Sequence, residues 1–115
     1  MNAGYYDLHI DQGATFRLLF TWKDSEGEPV DLSGCEARMQ MRYIHPDDLV
    51  LSLSTGDGDI VLGGTAGTVE LKLEPERTAP LTQLTGAYDL EIVYQGGDIV
   101  RLLQGRWFIS REVTR

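Results

Sequence analysis

Two histidines, one cysteine and eighteen acidic side chains are the groups in this 115-residue sequence suited to acid–base, nucleophilic or metal chemistry. Their spacing decides whether they do any. His9 and His45 stand apart from Cys35 and from each other by more than the few residues of a local zinc motif, so no such signature is present. His9 falls on the polar side of an extended segment and His45 precedes Pro46 in a turn, which makes both solvent-exposed in this reading. Cys35 follows Gly34 at the start of a strand with Arg38 as its nearest cation. A reactive thiolate needs closer positive charge, and a buried, inert thiol is expected. Gly56, Asp57 and Asp59 resemble the start of a calcium loop but lack its further oxygen ligands and closing glutamate, and read as an Asp-Gly turn. Gly63-Gly64-Thr65-Ala66-Gly67 has no lysine for a phosphate and lies between two strands. Pairs of carboxylates at the ~5 to 10 Å of glycosidase chemistry cannot be read from spacing in the chain. Trp22, Trp107, Tyr5 and Tyr6 form the one aromatic set that could stack on a sugar, against the ordinary fate of tryptophan on a sandwich strand, which is the core. No catalytic residue, cofactor site or metal site is therefore expected.

The elements that would position these groups are strands. Phe16, Leu18, Phe20 and Trp22 alternate with Arg17, Leu19, Thr21 and Lys23, and Ala37, Met39, Met41 and Tyr43 alternate with Glu36, Arg38, Gln40 and Arg42. The same period of two runs through Val69, Leu71 and Leu73 and through Tyr88, Leu90, Ile92 and Tyr94. Shorter strands are expected at Leu8 to Ile10 and at Leu49 to Leu53. Ile99–Leu103 and Trp107–Val113 flank Gly105 and fit either one bulged strand or two strands at a corner. Glycine-rich turns separate these runs, with Gly96-Gly97 marking a hairpin. Only Pro75 to Leu84 has helical character, limited to a turn or two by Pro80, and it is expected to cross between sheets. The predicted fold is an all-β, immunoglobulin-like antiparallel β-sandwich of seven or eight strands, formed by residues 1–115 as one domain, with a closed small barrel as the other option. Phe16, Leu18, Phe20, Met39, Met41, Leu71, Leu90 and Ile92 are its expected core. Gly86-Ala87-Tyr88 sits where a tyrosine corner would place the Tyr88 hydroxyl back on the connection before its strand, the other option being a core tyrosine with its hydroxyl at the surface.

Composition narrows the function. A formal charge of -8 repels phosphate backbones and argues against nucleic acid as a partner. A single cysteine cannot close an internal disulfide, as suits a domain folded in a reducing cytosol. No apolar run approaches the ~18 residues of a membrane span and no secretory leader opens the chain, so a soluble protein away from membranes is expected.

The segment Gly27-Glu28-Pro29-Val30-Asp31-Leu32-Ser33-Gly34-Cys35, preceded by Phe16-Arg17-Leu18-Leu19-Phe20-Thr21-Trp22 and followed by a strand ending in Arg42, resembles the immunoglobulin-like N-terminal domain of phage baseplate upper proteins and small proteins of tailed phages and prophages. Gly67-Thr68-Val69-Glu70-Leu71 and Gly86-Ala87-Tyr88-Asp89-Leu90 extend the resemblance over nearly the whole chain. It implies a non-enzymatic structural component of a virion tail or baseplate, made in the host cytoplasm and assembled as a trimer or hexamer with other tail proteins. The larger members carry further domains; with this sequence ending at Arg115, a small adaptor or connector is expected rather than a receptor-binding protein. Its docking surface would be a sheet edge or loops, since an open edge accepts a partner's strand. The candidate interface residues are Tyr5, Tyr6, the outward Leu19, and Trp107 if the last strand turns it outward. A carbohydrate-binding module is the alternative function.

Overall fold

The computed structural model describes residues 3–44, 48–82 and 84–114, so His45 lies outside the described residues. Alternation becomes strands throughout. In chain order they are β1 (Gly4–Tyr5), β2 (Leu8–Asp11), β3 (Phe16–Thr21), β4 (Glu36–Arg42), β5 (Leu49–Ser54), β6 (Ile60–Leu62), β7 (Thr68–Leu73), β8 (Thr85–Val93) and β9 (Ile99–Ser110). One sheet runs β1-β9-β8-β4-β5 with β2 also on β9, and the second runs β3-β7-β6. The arrangement is an immunoglobulin-like β-sandwich. A single helical turn, α1 (Pro75–Thr78), carries the chain from β7 in the small sheet to β8 in the large one. Its proline occupies the first turn, where the missing N–H is harmless. Thr78, fully buried, donates its hydroxyl to Ala14 O at 2.8 Å.

Met39, Met41, Leu71, Leu90 and Ile92 are buried as the alternation requires, with Leu8, Ile10, Leu32, Leu53, Ile60, Val69 and Leu73 around them. Phe16, Leu18 and Phe20 face the same core but are only half-buried, because β3 is the end of its sheet and no strand among the described residues covers their flank. The Asp31-Leu32-Ser33-Gly34 turn forms as its residues suggest. The Asp31 carboxylate accepts the Ser33 N–H at 2.9 Å, Gly34 takes φ +74°, and Leu32 drops into the core. Bonding to Ser33 also holds the Asp31 carboxyl below its ordinary pKa. Asp59, part of the supposed calcium loop, receives the Arg77 guanidinium at 3.0 and 3.1 Å, and Arg77 also donates to Ser52 O, so this carboxylate ties α1 to the neighbouring strands.

Several expectations are corrected. The sandwich is not wholly antiparallel: β1 and β2 both pair with β9 in parallel, Gly4 opposite Leu103 and Asp11 opposite Ser110, in one unbroken register. That split strand and the three-residue β6 bring the count among the described residues to nine. The last two apolar runs are one strand, and its bulge falls at Leu102 rather than Gly105, since Glu91 opposes Arg101 and Leu90 opposes Leu103. The strand ends at Ser110, leaving Val113 exposed. Cys35 is half-buried rather than buried; burial and the Asp31 carboxylate push its thiol pKa up, away from thiolate chemistry. The Tyr88 hydroxyl neither returns to the α1 connection nor reaches the surface. It donates to Tyr6 O at the far end of the chain.

Candidate docking site

Tyr5, Tyr6 and Leu19 are brought together by two edges. The parallel register of the split first strand sets Gly105 opposite Tyr6, and a Cβ there would lie 2.2 Å from Tyr6 O, so only glycine admits so close an approach. Tyr6 N–H donates to Gln104 O at 2.9 Å, the Asp7 carboxylate accepts the Arg106 N–H at 3.1 Å, and Tyr88 caps the Tyr6 carbonyl from the core. With the backbone of Tyr6 so held, the two tyrosine rings remain outside, 67% exposed at Tyr5 and 49% at Tyr6. On the other sheet Leu19 is 61% exposed. Between them lies an open cleft of about 420 Å³ lined by Gly4, Tyr5, Tyr6, Leu18, Leu19, Phe20 and Leu103, none of them charged. Both the inward Leu18 and Phe20 and the outward Leu19 line it, which places the cleft along the rim of β3 rather than on either face.

Trp107 does not join this site. Its ring is fully buried, its indole N–H is shared between Arg42 O at 3.2 Å and Ala87 O at 3.1 Å, and Tyr43 packs at 6.0 Å between ring centroids. With Trp22 also packed against the core, the four-ring sugar platform is not assembled; Tyr5 and Tyr6 alone are exposed. Gly4, Leu18, Phe20 and Leu103 are the lining residues that the sequence reading did not assign to a site. Leu103 had no legible signal, because the bulge at Leu102 decides which way it points.

The remaining chemistry-bearing groups are otherwise engaged. His9 stacks on Phe108 at 5.3 Å, exposed on the outer face of the large sheet. A polar recess on that face, lined by Arg38, Gln40, Ser52, Ser54, Asp89 and Glu91 among others, is crossed by the Arg38–Glu91 ion pair at 2.9 Å, while Arg101 pairs with Asp89 at 3.4 Å. Among the described residues no three His, Cys, Asp or Glu side chains gather to hold a metal ion, and no helix is long and apolar enough to cross a membrane.

Burial, reinforced by Asp7, raises the Tyr88 pKa far above that of a free phenol. The unfolded chain ionises this tyrosine near pH 10 while the folded chain keeps it neutral. Its contribution is therefore complete below about pH 10 and falls by about 1.4 kcal/mol per pH unit above it, until the folded phenol ionises. Denaturant midpoints should decline along this limb above about pH 10, and Tyr88→Phe should make the decline shallower, with the part owed to the likewise raised Cys35 and Tyr94 remaining. Parallel declines in the two proteins would refute the assignment.

The fold and the cleft together define an immunoglobulin-like sandwich with an open, apolar cleft between the edges formed by β1 and β3. A scan against protein-family models finds no match for this sequence, and a search of curated proteins finds no significant one.

Proposed function

We propose that this chain is a small structural subunit of a phage or prophage tail or baseplate, a non-catalytic adaptor that works through protein–protein contacts and is present as a trimer or hexamer following tail symmetry. The observation that carries the docking role is the convergence of Tyr5, Tyr6 and Leu19 on one uncharged cleft between two sheet edges. Exposed aromatic and aliphatic side chains grouped in a concave site are the usual anchors of protein interfaces. The tail setting is supported by the resemblance of the Gly27–Cys35 and Gly86–Leu90 segments to baseplate domains.

Sedimentation mass measurement, alone and with the tail proteins encoded beside it, tests the reading across salt concentrations. Like-charged copies at -8 each repel, so added salt should strengthen assembly. Tyr5→Ala with Leu19→Ala should weaken binding to the tail neighbour while leaving the thermal midpoint nearly unchanged, both residues being exposed. A strict monomer that binds no tail protein would overturn the adaptor role.

A further inference from the structure

The rim of β3 offers more than side chains. Trp22 N–H donates to Gly67 O at 2.8 Å, and bonding alternates along an antiparallel pair, so Phe20, Leu18 and Phe16 exchange their backbone bonds with β7. The backbone N–H and C=O groups of Arg17, Leu19 and Thr21 consequently point away from β7, toward the cleft side, where no strand of the described residues pairs with them. In the constant-type immunoglobulin sandwich the first strand lies in the sheet of β3's counterpart. Here it crosses wholly to β9, leaving that sheet one strand short and Phe16, Leu18 and Phe20 half-covered.

We infer that β3 is a strand-acceptor edge: an extended segment of a different protein adds beside it as a fourth strand, bonding to the backbone of Arg17, Leu19 and Thr21 and sending alternate apolar side chains into the cleft. Strand addition takes affinity from such main-chain bonds and specificity from pockets for every second side chain. The six residues of β3 set the paired length at about 20 Å. Charge selects the occupant. The turn leaving β3 exposes Asp24, Glu26 and Glu28 against the single cation Lys23, with Arg17 on the strand itself, and the whole chain carries a net charge of -8. The acidic excess favours a segment ending in lysine or arginine and disfavours a second copy of this equally acidic chain. The inference rests on the docking reading above only in treating the cleft as an interface.

The probes are ten-residue peptides with alternating valine and threonine between lysine ends, the same core between glutamate ends, and the lysine peptide N-methylated at every second residue. Amide exchange followed by NMR should show the lysine peptide slowing Arg17, Leu19 and Thr21 roughly tenfold or more. The glutamate peptide should bind more weakly, and the methylated one should give no protection, leaving the protein itself unaltered. Leu19→Pro removes one cleft-facing N–H without touching a β7 bond and should abolish binding. Absence of binding, or binding with those three amides still exchanging freely, overturns the inference. So does protection that appears without peptide and grows with protein concentration, since a second copy would then hold the edge. A tail protein that sediments with the chain while these amides stay open leaves the adaptor role standing and removes strand addition. Peptide protection without any tail partner does the reverse.

Discussion

Replacing Trp107 with alanine is expected to cost about 3–5 kcal/mol, a large part of the roughly 5–15 kcal/mol that holds a domain together. The ring is completely buried, and a space has been shaped for it: a Cβ on Gly86 would lie 2.4 Å from the indole and 2.1 Å from Arg42 O. Truncation empties that space and strips the carbonyls of Arg42 and Ala87 of their shared donor. Trp107→Phe keeps one aromatic ring but loses the N–H and the atoms of the second ring, for an expected loss of about 1–3 kcal/mol. Urea unfolding measures both through the shift in midpoint at constant slope. A loss below about 1 kcal/mol for the alanine variant would mean that the tryptophan is not the anchor between β4, β8 and β9 that its contacts describe.

What made Trp107 ambiguous in the sequence was a change of phase within β9. Up to the bulge the inward residues, half-buried Val100 and the bulged Leu102, stand at even positions, and behind it Gly105, Trp107 and Ile109 are buried at odd ones. A bulge switches phase without leaving a distinctive residue, so period-two reasoning could not say which face the tryptophan took. The strands without bulges in their alternating runs, β7 and most of β4 and β8, were legible because one face of each is fully buried. In β3 the pattern was right but the depth of burial was not, since depth depends on whether another strand flanks the edge, a matter of topology. The site divides the same way. Exposure of Tyr5, Tyr6 and Leu19 followed from their positions, whereas their convergence depends on the first strand leaving β3 for β9. Local alternation has no means of expressing a parallel pairing between the two ends of a chain.

Gly105 is where that pairing is most exposed to test. The expected result for Gly105→Ala is a loss of about 1–3 kcal/mol from overpacking, with about 1–3 kcal/mol more if the Tyr88 hydroxyl is left buried without its acceptor. The obstruction is the Tyr6 carbonyl itself, backbone rather than the tip of a flexible side chain, so relief requires the first strand to move away from β9. Such a movement separates Tyr5 and Tyr6 from Leu18, Leu19 and Phe20 and dismantles the cleft while the core around Leu90 persists. Gly96→Ala is the control: beyond its chain neighbours no atom of the described residues lies within 4 Å of its added Cβ, and its stability should stay within about 0.5 kcal/mol of the parent. Amide exchange should quicken at Tyr6, whose N–H bonds to Gln104 O, ahead of the amides of β4 and β8. Binding of the partner proposed for the cleft should fall with it, although position 105 is itself buried and cannot touch a partner. Unchanged binding alongside a released first strand would assign docking to β3 alone and leave Tyr5 and Tyr6 with no part in it.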